Sequence, residues 1–354
     1  MLRIAMTALL VVGFASIARA QPNDATASGA DTAPVVTPTI ATVATETIET
    51  PFVGTFDLSG PGGFKGTLTI GRKDDTLKLS GTAGGSPLSL SASVKKAHSW
   101  QLPLGSDSTG LVHAINGHNA APVNGARVLV VSDAGQGKLT GSLTTDGHKT
   151  ADVTLTRRKE ALVVYGTYMG GMHVFATQCA EYYKAKGYII REIPGDWIEI
   201  VKALVLAEET GHTFTRVVMV SHGGWDGPMF EGQYCQISNS GSPDYPEGFF
   251  NYIQALRRGT TLDAKYIYSC CHQGGSDRFE GTDATDPTSY RNYRITDDIA
   301  KRTGRTAVGP QGETSTEWSK LLCMFAEGEG PARQESRIST ASGGRTFQQG
   351  QFAK

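Results

Sequence analysis

The chain has 354 residues, a length that suits two ordinary domains, and its 33 basic residues nearly balance its 34 acidic residues. This balance leaves no excess of positive charge for a phosphate backbone and argues against a nucleic-acid partner. Five cysteines are an odd number, so in an oxidising compartment at least one thiol stays free or pairs between chains.

The first 20 residues have the pattern of a secretory signal peptide. Arg3 precedes an apolar stretch over residues 4–17, and the sequence Ala-Arg-Ala at 18–20 supplies the small-x-small site that signal peptidases cut. The apolar stretch is short for a bilayer, and no other run in the chain is apolar enough to cross one. We therefore expect a secreted or periplasmic protein with no stable membrane span after signal removal. A retained N-terminal anchor is the alternative.

The next part of the chain changes composition twice. Residues 21–50 consist mainly of Ala, Thr, Val, Pro and Ser without helical or strand period, which predicts a disordered linker. Short alternating apolar runs follow, such as the run from Phe64 to Ile70, and turn sequences such as Asp146-Gly147 separate them. Residues 51–158 are therefore predicted to form a β-rich accessory domain, an antiparallel sandwich or barrel. Its expected role is to bind, position or restrain the rest of the chain.

Strand and helix patterns alternate from residue 159 onwards. Strands are predicted at 161–168, 188–193, 216–220, 264–268 and 306–308, and helices at 172–186, 197–210, 247–258, 295–302 and 316–326. Each crossover must return to the same end of the sheet, so this alternation predicts an α/β domain with a mostly parallel sheet and helices on both faces over residues 159–354. In such sheets the chemistry collects beyond the carboxyl ends of the strands.

Two reactive side chains directly follow neighbouring predicted strands. The sequence Ser-His-Gly-Gly at 221–224 places His222 after one strand, and Ser-Cys-Cys-His at 269–272 places Cys271 after the next. An imidazole beside a thiol takes its proton and stabilises the thiolate, which is the attacking species. Neighbouring glycines allow backbone N–H groups to point at a developing oxyanion, and we nominate the amides of Gly223 and Cys271.

These motifs resemble those of caspase-like cysteine peptidases, and most of all metacaspases, over about residues 160–325. Metacaspases carry His-Gly after a hydrophobic strand and Asp-Cys-Cys-His-Ser-Gly, or a similar run, after the next one; this chain has His222-Gly223 and Ser-Cys-Cys-His-Gln-Gly at 269–274. The separation of His222 and Cys271 matches the roughly 50 residues expected in caspases. The resemblance implies a caspase-like fold and an endopeptidase with His222 as base and Cys271 as nucleophile.

The chain departs from the family pattern around the expected substrate pocket. Ser269 stands where metacaspases have an aspartate that helps to bind a basic side chain, and the animal-caspase sequence Gln-Ala-Cys-Arg-Gly is absent. Neither basic nor aspartate specificity is therefore predicted. Candidate pocket residues are Ser269, Trp225, Asp226 and Glu313. By the same resemblance, the acidic loop at 276–290, including Arg278, is a candidate site of proteolytic processing.

The cysteines and histidine at 270–272 also allow other interpretations, namely a different nucleophile or a metal site. Cys270 is the alternative nucleophile, but adjacent strand residues face opposite ways, so we expect it to be the buried neighbour of Cys271. A zinc site beginning at Cys270 lacks any Cys-x-x-Cys or His-x-x-x-His partner, so no metal site is predicted. Metacaspases often respond to calcium, but the sequence shows no compact calcium loop. No cofactor is expected.

Two rival functions use the same residues. The sequence His-Gly-Gly-Trp at 222–225 is similar to the oxyanion loop of α/β-hydrolase esterases, yet the chain has no Gly-x-Ser-x-Gly elbow and no histidine after His272. The other rival is a catalytically inactive caspase-like module that binds a peptide or protein through the same edge. For the endopeptidase and for the inactive module alike, the expected partner is a peptide or protein. The preferred substrate side chain and the oligomeric state stay open.

Overall fold

The computed structural model describes residues 52–93, 99–104, 127–134, 138–146, 148–167, 171–224, 227–230, 233–234, 247–275, 294–312, 318–331 and 338–342. They belong to one compact unit, Ile48–Lys354. The unit contains a curled antiparallel sheet and a separate, mostly parallel sheet flanked by helices. The predicted signal peptide and linker lie outside the described residues.

The antiparallel sheet has eight strands built as two four-stranded meanders. The strands are β1 (Gly54–Ser59), β2 (Lys65–Lys73), β3 (Thr76–Ala83), β4 (Ser86–Ser93), β5 (Ser99–Leu104), β6 (Arg127–Asp133), β7 (Leu139–Thr145) and β8 (His148–Arg157). Pairing of β1 with β8 joins the meanders, in the order β4-β3-β2-β1-β8-β7-β6-β5. The sheet curls until its edge strands β4 and β5 approach each other. Alternate side chains such as Leu68, Ile70 and Trp100 are buried inside the curl and form its core.

The second sheet has six strands, of which the first five in chain order are parallel. They are β9 (Glu160–Tyr165), β10 (Ile189–Pro194), β11 (Phe214–Val220), β15 (Thr260–Ser269), β16 (Thr306–Pro310) and the antiparallel edge strand β17 (Ile338–Ser342). Their order is β10-β9-β11-β15-β16-β17. A small antiparallel sheet follows β11 and consists of β12 (His222–Gly224), β13 (Gly227–Phe230) and β14 (Gln233–Tyr234).

Within the described residues, five helices cover both faces of the parallel sheet, as the alternating pattern predicts. They are α1 (Met172–Ala185), α2 (Trp197–Thr210), α3 (Glu247–Gly259), α4 (Ile295–Thr303) and α5 (Trp318–Ala326). Helices α1 and α5 pack on one face, and α2, α3 and α4 pack on the other. None of the described helices combines the length and the apolar character that crossing a membrane requires.

Helix α2 shows how the sequence determines these boundaries. The Asp196 carboxylate accepts hydrogen bonds from the N–H groups of Ile198 and Glu199, which otherwise have no partner in the first turn. The helix buries a stripe of apolar side chains at helical spacing, including Ile200 and Leu204, against the sheet. It ends at Thr210 and is capped by Gly211, whose φ of 75° lies in the left-handed region that favours glycine.

The antiparallel sheet packs against the C-terminal end of α2 through close backbone contacts. A Cβ atom at Gly71 would lie 2.2 Å from the Glu209 carbonyl oxygen, so only glycine permits this approach. Thr55 Oγ1 donates a hydrogen bond to the Gly211 carbonyl (3.1 Å), and Thr213 Oγ1 donates one to the Val53 carbonyl (3.0 Å). These contacts lie at the amino ends of the parallel strands, because Thr213 directly precedes β11.

A buried carboxylate reinforces the same interface. Glu208 of α2 receives a hydrogen bond from Arg258 Nε (2.6 Å) and lies 3.8 Å from Arg72 Nη1 of β2. Burial raises the pKa of the Glu208 carboxyl, and the charge of Arg258 opposes that shift. Arg72 and Glu208 are both almost inaccessible to solvent. The antiparallel sheet is therefore anchored to α2 by charge pairing as well as by backbone packing.

Candidate active site

The two predicted reactive residues follow strands that are direct neighbours in the parallel sheet. Strands β11 and β15 pair in register, with Val220 opposite Ser269. The register continues one residue further, since Ser221 N–H donates a hydrogen bond to the Ser269 carbonyl. His222 and Cys271 therefore stand the same number of residues beyond a paired position. Neighbouring strands are about 4.8 Å apart, so the two backbones begin their exit from the sheet side by side.

The alternation of side chains gives the last residues of β11 and β15 the same face of the sheet. Val218 and Val220 of β11, and Ile267 of β15, pack in the core beneath α1 and α5. Met219 and Tyr268, one residue out of step, pack in the core on the opposite face. Since side chains alternate along a strand, Val220 and Ser269 have the parity of the α1 and α5 face, whereas His222 and Cys271 lie beyond the ends of these strands.

The two adjacent cysteines have different environments. Cys270 is fully buried, its Sγ lies 3.2 Å from Ser221 Oγ, and its thiol donates to the Met219 carbonyl (3.6 Å). Burial raises the pKa of the Cys270 thiol to about 12, with a smaller opposing effect from Ser221. Cys271 is partly exposed. Cys270 thus stays a protonated thiol that links the strand ends, and Cys271 is the one that solvent reaches.

The turn that carries Cys271 is held by backbone hydrogen bonds to the last residue of β16 and to the segment that follows it. His272 N–H donates to the Gly312 carbonyl (2.8 Å), and Gly274 N–H donates to the Pro310 carbonyl (2.7 Å). The buried Gln273 side chain donates from Nε2 to the Cys271 carbonyl (2.9 Å). His272 has φ of 61°, an uncommon conformation for a residue with a side chain. Sequence reasoning did not identify Gln273 as a residue that fixes this turn.

The segment that carries His222 turns directly into β12. The Ser221 hydroxyl donates to the His222 carbonyl (2.7 Å). In the pairing of β12 with β13, Gly223 stands opposite Pro228. Proline has no N–H, so it fits an antiparallel pair that exchanges no hydrogen bonds. In such a pair the N–H groups are directed away from the partner strand, so the Gly223 N–H is directed away from β13. A donor to a bound oxyanion needs an N–H that is not used within the sheet.

Of the four predicted pocket residues, Ser269 lies in the described part of the chain. Ser269 is buried, and its Oγ lies 2.7 Å from Oγ of the buried Ser319 at the start of α5. Its hydroxyl is thus engaged inside the protein. Trp225, Asp226 and Glu313 lie outside the described residues, as does the predicted processing loop at 276–290.

A further group of side chains lies near the carboxyl end of the neighbouring strand β9. Tyr165 pairs with Val220, so it stands level with the end of β11. The Tyr165 and His173 rings are 4.4 Å apart between centroids, and His173 Nε2 lies 3.8 Å from Glu192 Oε2. The strand order reverses between β9 and β11, and ligands of open α/β sheets bind at such switch points. No spacing motif in the sequence pointed to these residues.

Metal-ligating side chains do not cluster in the part of the chain that the structure describes: no group of three or more His, Cys, Asp or Glu residues could hold an ion there.

No family model matches the chain, and no curated protein matches it. Among solved structures, a flavodoxin from Streptococcus pneumonia TIGR4 aligns with 48% of this chain and 97% of its own, at 12% identity and a TM-score of 0.24. A likeness this low carries no argument about fold or function.

Proposed function

We propose that the chain is an exported cysteine endopeptidase with a caspase-like α/β domain, in which His222 and Cys271 form the catalytic dyad. The observation that supports this most is the register of β11 and β15. It gives His222 and Cys271 equal positions beyond the paired residues Val220 and Ser269, so both residues follow neighbouring strands at the same edge of the sheet. The predicted signal peptide at residues 1–20 supports export.

In the proposed mechanism His222 accepts the proton of the Cys271 thiol, and the thiolate attacks a peptide carbonyl carbon. The amides of Gly223 and Cys271 donate to the oxyanion of the tetrahedral intermediate. His222 then returns the proton to the leaving amine, and the acyl group stays on sulfur. Water, activated by the same imidazole, releases the acid and restores the thiol. Cys270 has no role as a nucleophile because its buried thiol stays protonated.

The antiparallel sheet is proposed to be a fixed platform for the α/β domain. Its described contacts with α2 and with the residues that follow α2 lie at the amino ends of the parallel strands, opposite the edge of His222 and Cys271. This arrangement supports a positioning role and gives no support to a sheet that covers the dyad.

A digest of a positional peptide library by the purified mature protein, with and without calcium, tests the proposed function. We expect cleavage of peptide bonds with a consistent preference for the residue before the scissile bond, and loss of cleavage after treatment with a thiol-reactive peptide inhibitor. The calcium arm shows whether the ion is required. Folded protein that cleaves no peptide in either arm would contradict the endopeptidase and favour the inactive binding module.

A further inference from the structure

Gln273 ties the turn after β15 to the neighbouring elements β16 and α4. Its side chain is fully buried. Its backbone carbonyl accepts a hydrogen bond from the Thr296 N–H (3.3 Å) in the first turn of α4. Strand β16 contributes Gly309, where a Cβ atom would lie 2.8 Å from the Gln273 Cβ. The glycine at position 309 therefore makes room for Gln273.

The peptide group between Cys271 and His272 is held by hydrogen bonds on both sides. Its carbonyl oxygen accepts one from Gln273 Nε2 (2.9 Å), and its N–H donates one to the Gly312 carbonyl (2.8 Å). A planar peptide group that is bonded at both its C=O and its N–H cannot rotate freely. These bonds support the φ of 61° at His272, which a residue with a side chain adopts only where its surroundings enforce it.

We propose that Gln273 is a positioning residue for Cys271, whose carbonyl it holds so that the thiol stays within reach of the His222 imidazole. This inference rests on the proposed dyad and adds the group that sets its geometry. The direction of the Cα–Cβ bond follows from the backbone dihedral angles, so rotation of the adjacent peptide group would displace the Cys271 sulfur. A displacement of about 1 Å can cost on the order of 100-fold in the rate of a reaction.

The chemical nature of the side chain supports this role. Burying an amide is costly unless it is hydrogen-bonded, whereas an apolar side chain of similar size fills the same space without that cost. The fully buried Gln273 uses its Nε2 for the carbonyl of the proposed nucleophile. The amide is therefore explained by the hydrogen bond to Cys271 better than by packing alone.

The test compares the rates at which iodoacetamide alkylates Cys271 in folded wild type, Gln273→Met, His222→Ala and the double variant. Methionine has a length similar to that of glutamine but no N–H to donate. We expect alkylation to be at least about threefold slower in Gln273→Met at neutral pH, with its half-maximal rate at a higher pH. In the His222→Ala background, Gln273→Met should change the rate little, because the imidazole through which it acts is gone.

A second variant reaches the same contact with the glutamine unchanged. Gly309→Ala places a methyl group against the Gln273 Cβ and should displace the side chain. It should slow the alkylation of Cys271 in the same direction, and again only when His222 is present. If Gln273→Met does not fold, Gly309→Ala decides by these criteria.

Thr296→Val is the matched control for loosening of the turn. It removes the hydroxyl that lies 3.4 Å from the Gln273 carbonyl, but it does not touch the Cys271 carbonyl. This variant should lower the midpoint of thermal unfolding and leave the alkylation rate unchanged. Slowing in Thr296→Val equal to that in Gln273→Met would overturn the inference, because any loosening of the turn would then suffice.

The four rates separate this inference from the proposed function. Equal rates in wild type and His222→Ala would contradict the dyad and this inference with it. A clear difference between those two proteins, together with a wild-type rate in Gln273→Met, would overturn the positioning role alone. The same slowing by Gln273→Met with and without His222 would also overturn it, since the effect would then be on access to the thiol.

Discussion

Replacement of Cys271 by alanine is expected to abolish peptide hydrolysis, with a loss in kcat/KM of at least about 10³-fold. The reason is that no other described thiol reaches solvent at the end of β15, so no group can take over the attack on the carbonyl carbon. The measurement is turnover of the best substrate from the peptide library, with folding of the variant verified by its thermal transition.

The adjacent Cys270→Ala variant is the matched control for that experiment. Cys270 is buried and contacts Ser221 and Met219 rather than solvent, so its removal should reduce stability but leave most of the turnover. Undiminished hydrolysis by Cys271→Ala would contradict the assignment. If folded Cys270→Ala lost all hydrolysis while Cys271→Ala kept full activity, the nucleophile would be Cys270.

The variant Glu327→Gln is expected to lower the free energy of unfolding by about 3 kcal/mol, as for other ion pairs with little solvent exposure. Glu327 follows α5 and accepts hydrogen bonds from Nε (2.5 Å) and Nη2 (2.9 Å) of Arg216 in β11. Lys265 Nζ of β15 lies 3.8 Å away. Neutralising the carboxyl leaves the nearly buried Arg216 without its counter-charge. Urea denaturation at neutral pH measures the effect.

The Glu327 carboxyl also makes the free energy of unfolding depend on pH. Partial burial alone raises its pKa, but the hydrogen bonds and charge of Arg216 outweigh burial and hold the pKa below the ordinary value of 4.5. A lowered pKa in the folded state stabilises the protein above 4.5, and this contribution is lost as the pH falls through the folded-state pKa. The difference between wild type and Glu327→Gln should therefore shrink in acid.

Glu329→Gln provides the control for Glu327. Glu329 pairs with Lys186 and accepts a hydrogen bond from Tyr182, but it lies on the surface. Exposed ion pairs contribute little to stability because water screens them. Its removal should thus change the unfolding free energy much less. Equal effects of the two variants would contradict the structural role given to the Arg216–Glu327 pair.

Helical and parallel-strand elements were predictable because their signals are local. Asp196 and Gly211 mark the two ends of α2 in the sequence, and the structure ends the helix at those residues. The apolar run that begins β9 was predicted to reach Tyr168, but the strand ends at Tyr165. An apolar run does not show at which residue a strand ends, because the end depends on how far the neighbouring strands pair with it.

The pairings of β1 with β8 and of β17 with β16 were not predicted, because the partners lie far apart in the sequence. Strand β1 joins the two meanders by pairing with β8, about a hundred residues later, and strand β17 pairs antiparallel with β16. The strands β12, β13 and β14 are too short and too rich in glycine to show a period of two. Such strands form because a partner is present, and a single sequence carries little trace of that partner.

The candidate site could be located from the sequence only in outline. Strand order along the chain and the motifs at His222 and Cys271 predicted a shared edge of the sheet. Their register, and the burial that distinguishes Cys270 from Cys271, required the packing of β11 against β15. Tyr165 and His173 were missed because nothing in their spacing distinguishes them from core and surface residues.

The proposed peptidase activity requires proton transfer between His222 and the Cys271 thiol, and the rate at which iodoacetamide alkylates Cys271 reports that transfer. Native wild-type protein and the His222→Ala variant are compared at neutral pH, and modification of Cys271 is followed by peptide mass spectrometry. We expect alkylation of Cys271 to be at least about tenfold slower in His222→Ala, since the thiolate is the reactive form. Equal rates in the two proteins would contradict the dyad.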